Sequence, residues 1–248
     1  MEPLEALLLA FATFAGATLQ STTGFGFALL AGPAAFGVLS PEEAITTLLV
    51  LGSVLNVLIM AGERRPPSVE LRDLAVVLAW AAPGIGAGIL ILVAISKPAL
   101  QVTVGVCILG AVVVQLRRGQ RGGAGPRPVA RAVAGFVAGT LTTTTATAGP
   151  PLVLYLEEVG TTPERFRDSM AAMLLGLNVM GAIALILAEG RAELPGVGAL
   201  WILGSCVVAG GVVGRRIFDR LDPDAFRTAG YLLIVVSAVG SIAAGFAA

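Results

Sequence analysis

The stretch Gln20-Ser21-Thr22-Thr23-Gly24-Phe25-Gly26-Phe27 sets one amide, three hydroxyls and two glycines inside an otherwise apolar run. A second stretch, Thr142 to Pro151 (TTTTATAGPP), does the same with hydroxyls. Neutral donors beside a flexible backbone suit a small oxyanion in an apolar setting, where a full positive charge is expensive to bury. A helix restarting after each polar stretch, near Phe27 and at Pro150, aims free N–H groups and a positive dipole end at such a ligand. Gly24, Gly26 and Gly149 let the backbone turn and approach it closely. Gln20, Ser21, Thr22, Thr23, Thr144, Thr145 and Thr147 are the candidate side-chain donors. Each hydroxyl has an alternative use, a bond to its own i−4 carbonyl, and each glycine has another in close helix packing. Asn56 and Asn178 join the candidates, because each sits well inside a long apolar run, where an amide must find partners. Bridging to a polar stretch and fastening two helices together are both open to them.

The elements that must position these residues are membrane helices. The chain has 248 residues, of which 56% are hydrophobic and 13% charged, and its mean hydropathy is +0.90. A soluble domain carries about 25% charged residues. Stretches such as Leu74 to Ile95 are apolar all round, so no polar face is available for a soluble core helix. Full spans are predicted at 44–61, 74–95, 99–116, 169–188, 195–213 and 225–246. An exposed Arg/Gly/Pro linker at 117–128 divides a first half, 1–116, from a second, 129–248.

Several functions are excluded by what is missing. Net charge is zero, there is no histidine, and no basic tract interleaves with aromatics, so nucleic acid is not a partner. Cys107 and Cys206 are solitary, and no CxxC, HExxH, Walker or Rossmann pattern occurs. No metal, cofactor or enzymatic activity is expected. Asp73, Arg72, Arg167 and Asp168 lie at span edges, and no charge sits deep in a span. Glu157 and Glu158 read as loop residues, and Pro83 to Gly88 (PGIGAG) as helix packing or a kink. The opening MEPLEALLLA has two glutamates and no Lys or Arg, so no cleavable signal peptide is read.

The halves repeat each other. Pro41 matches Pro163 and Asn56 matches Asn178, both 122 residues on. Gly16 matches Gly139, 123 residues on, which lays the first polar stretch opposite the second. Internal duplication of this kind characterises secondary transporters. The apolar arms beside the polar stretches, such as Leu4 to Leu19 with 16 residues, fall short of the about 20 that a crossing needs. Each half therefore opens on a hairpin, 4–39 and 129–157, either re-entrant or fully spanning, followed by three spans. With the hairpin returning to its starting side, 14 of the 16 Lys and Arg fall on one side, leaving Lys97 and Arg191. Positive residues concentrate in the cytoplasm, so that side is inside and both termini are outside. Three crossings per half make the halves inverted. The fold expected is an all-α polytopic membrane protein of two inverted repeats.

The stretches GATLQSTTGFGFALLAGPAAFGVLSPEEA with SVLN, and GTLTTTTATAGPPLVLYLEEVGTTPERFR with LNVMG, resemble the two repeats of the TauE/SafE family. The likeness covers essentially the whole chain. It implies a permease of a prokaryotic inner membrane that moves sulfite, sulfonates or related sulfur oxyanions, commonly as export. The expected function is secondary transport of such an anion by alternating access, with a passive channel and a non-transporting scaffold as alternatives. The expected partners are that anion, the lipid bilayer and a coupling proton or sodium ion; the sequence leaves a homo-oligomer open.

Overall fold

A computed structural model describes residues 3–62, 67–94, 128–159, 162–189 and 194–218, together with Arg220. The predicted spans 99–116 and 225–246, most of the linker, Lys97, Cys107 and Arg191 lie outside the described residues. Within them there are eight helices and no strand. The first half holds α1 (Pro3–Thr23), α2 (Phe27–Val38), α3 (Pro41–Gly62) and α4 (Leu71–Ala94). The second holds α5 (Pro128–Thr145), α6 (Gly149–Val159), α7 (Pro163–Glu189) and α8 (Val197–Phe218). Five of them, α1, α3, α4, α7 and α8, are long and apolar enough to cross a membrane.

Local chemistry explains the boundaries. The matched prolines open α3 and α7, where a missing N–H is harmless and a fixed φ suits the first turn. Ser40 Oγ accepts the Glu43 N–H at 3.2 Å before α3, and Thr162 Oγ1 accepts that of Arg165 at 3.4 Å before α7. Both are N-caps that satisfy a donor the helix leaves unpaired. The first arm proves longer than its apolar residues suggested. Gln20 to Thr23 continue α1 to 21 residues, because Thr22 and Thr23 turn their hydroxyls onto the carbonyls of Thr18 and Leu19. Glu157 and Glu158, read above as loop residues, close α6.

The hairpin turns correct the repeat register. α1 ends at Thr23 and α5 at Thr145; α2 begins at Phe27 and α6 at Gly149. Every offset is 122, so the 123-residue match of Gly16 to Gly139 is one residue out. Gly24 now lies opposite Ala146, and both have left-handed backbone, φ 89° and 56°. Their N–H groups bond equivalent carbonyls, Gly24 to Gln20 at 2.7 Å and Ala146 to Thr142 at 3.1 Å. Alanine pays a steric penalty in this conformation that glycine does not. Ala146→Gly will therefore stabilise the chain by about 1 kcal/mol, and Gly24→Ala will do the reverse. Thermal unfolding of the two purified variants in detergent checks the pair.

Packing pairs elements across the halves: α1 lies along α8, α4 along α5, and α3 against α7. Exchanging the halves converts the first pair into the second and leaves the third unchanged. Glycines make the first two close. A methyl group added at Gly84 would strike the Phe136 carbonyl oxygen, and one at Gly139 that of Ala81. Gly210 and Gly214, 126 residues after Gly84 and Gly88, meet the carbonyls of Phe14 and Thr18 in the same way. The PGIGAG stretch thus serves helix packing. In α3 and α7 the contacts run antiparallel, Gly52 against Asn178 and Leu49 against Gly181.

One end of the bundle gathers arginines. Gly62, closing α3, lies beside the Arg215 guanidinium near the end of α8. Arg131 at the start of α5 pairs with Asp73 at the start of α4, and Asp168 at the start of α7 accepts the Ser68 N–H. Three of the four edge charges are buried, Asp73 at 4% exposed, Arg167 at 1% and Asp168 at 1%, while Arg72 is exposed. Sequence position placed them at span ends, but helix neighbours cover three of them there.

Candidate functional site

The α3–α7 crossing lies about midway along both helices, and the first polar stretch is fastened to it. Gln20 donates through Nε2 to Asn56 Oδ1 at 2.8 Å. Its Oε1 accepts the Phe27 N–H at 3.1 Å, so the same side chain caps the start of α2. Of the two uses open to Asn56, bridging to the polar stretch is the one observed. Gly26, left-handed at φ 112°, is the residue before α2, and the N–H groups of Leu29 and Leu30 return to its carbonyl. Gly52, one turn before Asn56, has Asn178 on one flank and the Phe27 ring on another.

The two hairpin tips meet through Phe25. Its ring covers Gly149, where a Cβ would come 3.2 Å from it, and it packs into the apolar cluster of Ala148, Leu152 and Met170. Ala146 does the converse and packs among Phe27, Ile45 and Leu48 of the first half. Each tip thus packs in a core cluster to which both halves contribute. Phe25 was not among the sequence candidates; an aromatic between two glycines was the available signal.

Most candidate hydroxyls serve the backbone. Thr22 Oγ1 reaches both Thr18 O and Gly214 O, and Thr23 Oγ1 both Leu19 O and Phe25 O. Thr144 bonds Thr140 O, and Thr145 bonds Leu141 O and also meets the Thr147 hydroxyl at 2.6 Å. Ser21 and Thr22 face α8, away from the second tip, with Ser21 against Gly211 and Gly214. Gly24 lies on the backbone of Arg167 in α7. The start of α6 carries Pro150 and Pro151, which have no N–H to offer.

Three buried neutral groups among the described residues keep no hydrogen-bond partner, Ser21 Oγ, Thr47 Oγ1 and Asn56 Nδ2; Ser21 faces α8, and Asn56 is the one tied to the first tip. Asn56 is 0% exposed and its Nδ2 has no hydrogen-bond partner. Leaving a buried amide donor unsatisfied costs about 1–3 kcal/mol. That group stands beside the α2 start, at the point where α1, α2 and α3 converge, one turn from the Asn178 contact. The arrangement can hold a small polar or anionic group by neutral donors and one helix dipole. Among the described residues no group of His, Cys, Asp or Glu could hold a metal ion.

A family model described as Sulfite exporter TauE/SafE matches residues 8–241, nearly the whole chain. No curated protein and no solved structure is matched by this chain.

Proposed function

The chain belongs to the sulfite exporter TauE/SafE family, and from that membership we propose that it is a secondary transporter of a small sulfur-containing oxyanion, such as sulfite or an organosulfonate. The observation that carries the site is the buried, unpartnered Nδ2 of Asn56 beside the start of α2. The anion sits there, between the first tip and the α3–α7 crossing, with Gln20 holding Asn56 in place. Asn178 approaches from the other half, and Thr145, Thr147 and Gly149 bound the site at the second tip. Hydroxyls that now serve backbone carbonyls can still rotate toward a ligand, since a helix keeps its i→i−4 ladder without them.

Alternating access follows from two halves that exchange their packing partners. α3 and α7 cross antiparallel, which is what inverted repeats produce, and rocking about that crossing exposes a central site first to one side and then to the other. The arginine-rich end is cytoplasmic and the termini are outside, in the inner membrane of a prokaryote. Transport is driven by a coupled proton or sodium ion, or by the membrane potential acting on the anion.

Proteoliposome flux tests this. Sulfite uptake will saturate and show counterflow. Gln20→Ala will lower it at least about fivefold per reconstituted protein, since Asn56 and the start of α2 lose the side chain that holds them. Thr145→Val will lower it by less. Flux that neither saturates nor counterflows identifies a passive channel, and wild-type flux in both variants removes the site assignment.

A further inference from the structure

Asp73, Arg131 and Tyr155 form a buried cluster at the arginine-rich end that the proposed transport site does not use. Arg131 Nε lies 3.1 Å from Asp73 Oδ1, and the Tyr155 hydroxyl donates to Asp73 Oδ2. One carboxylate oxygen thus accepts the phenol, and the other faces the guanidinium as an ion pair without a formed hydrogen bond. The two donors come from α5 and α6 of the second half and meet an acceptor on α4 of the first. Asp73 and Tyr155 are buried, while the Arg131 side chain keeps 16% of its surface.

This donor pair suits any small oxyanion. Guanidinium and phenol groups bind carboxylate, sulfite or sulfonate oxygens through the same charge-assisted bonds. Arg72, Arg165, Arg215, Arg216 and Arg220 share this end of the bundle and raise the local concentration of anions. The repeat-related positions do not carry the same residues. At the 122-residue offset of the hairpins Arg131 corresponds to Leu9 and Tyr155 to Pro33, and at the 126-residue offset of α4 and α8 Asp73 corresponds to Ala199. A cluster required only to hold the fold would be useful at both ends; this one marks a single side. Tyr155 is also six residues along α6 from Gly149, about 9 Å at 1.5 Å per residue. One short helix therefore links the cluster to the second tip.

We propose that Arg131 and Tyr155 form an oxyanion entry station at the arginine-rich end, occupied by the Asp73 carboxylate as a tethered stand-in that the incoming anion displaces. Displacement moves no proton and makes no covalent bond: two donors exchange one oxyanion for another. It also frees α6 from α4, so that arrival of the anion loosens the second tip. The ligand class rests on the permease reading, but the station is tested without flux.

The test titrates sodium sulfite into the full-length chain in detergent, with sodium chloride at matched ionic strength as control, and reads thermal unfolding. Asp73→Asn removes the charge that lets the stand-in compete, so it will bind sulfite at least fivefold more tightly than the native chain. Adding Arg131→Gln will erase that gain. Equal affinity in the native and Asp73→Asn chains, or a gain that survives Arg131→Gln, overturns the proposal. Tyr155→Phe leaves the ion pair intact and covers the case in which Asp73→Asn does not fold. It will weaken sulfite binding to the native chain about threefold, and unchanged affinity overturns the station. A sulfite-specific gain in a chain without flux keeps the station and removes the permease; flux without the gain does the opposite.

Discussion

Gly84→Val will prevent the folded protein from accumulating, whereas Gly86→Val, half a turn away, will leave it near the native level. Fluorescence-detected size-exclusion chromatography of the two variants separates these outcomes. The contrast rests on which way each glycine faces. A Cβ at Gly84 meets the backbone carbonyl of Phe136, and a Cβ at Gly86 meets nothing within 4 Å. A side-chain tip can rotate away from an intruding methyl group, but a carbonyl in a neighbouring helix moves only if the helix moves. α4 and α5 would have to separate along their length, since Gly88, Gly135 and Gly139 make equally close approaches between the same two helices. Separation also stretches the bonds from Thr140 Oγ1 to Gly84 O at 3.1 Å and from Thr143 Oγ1 to Ile85 O at 3.2 Å. Between lipid-immersed helices these contacts carry most of the attraction, because lipid tails are as apolar as leucine and supply no hydrophobic drive. Overpacking of this kind costs about 3 kcal/mol, a large share of the roughly 5–15 kcal/mol that holds a typical fold. Gly210→Val, its counterpart against the Phe14 carbonyl, will behave the same way.

The helices were legible because their signals are local. Ser40-Pro41 and Thr162-Pro163 mark starts by cap and proline chemistry, and apolar runs of the right length mark spans. The hairpins were legible because glycines and polar residues interrupt those runs. The register was misplaced by one residue because identical glycines are a weak guide in apolar sequence. The true equivalence joins Gly24 to Ala146, unlike residues sharing a backbone conformation. The fate of the hydroxyls was not legible at all. A threonine near a helix end serves its i−4 carbonyl or a ligand with the same residue type, and only its surroundings decide. The ion pair of Asp73 with Arg131 joins residues 58 positions apart, and the Tyr155 bond spans 82. Edge charges in sequence are solvated by default; here helix starts from both halves converge and cover them. The Gln20–Asn56 bridge was half visible, since each amide on its own demanded a partner and neither named the other.

Asn56→Asp will reduce sulfite transport at least tenfold while leaving the protein folded, and this is the sharpest test of the central site. Aspartate has the shape of asparagine and keeps the Oδ1 that accepts the Gln20 amide, so the cap on α2 through the Phe27 N–H survives. What changes is the other arm. An N–H2 donor that has no partner in the protein becomes a carboxylate oxygen. An anion loses a hydrogen bond worth about 1.5–3 kcal/mol, which is a factor of about ten to a hundred in affinity. It also meets an acceptor or a like charge in its place, which adds to the loss. Asn178→Asp at the opposing position, against Gly52, will have a smaller effect, because Asn178 does not carry the bridge to the tip. A purely structural Asn56 would reverse the pattern. Asn56→Asp would then keep full transport, because the Gln20 bond is retained, and Gln20→Leu would be the damaging change through loss of folded protein. Transport rate divided by reconstituted protein, measured for both variants, distinguishes a donor that serves the anion from one that serves only the fold.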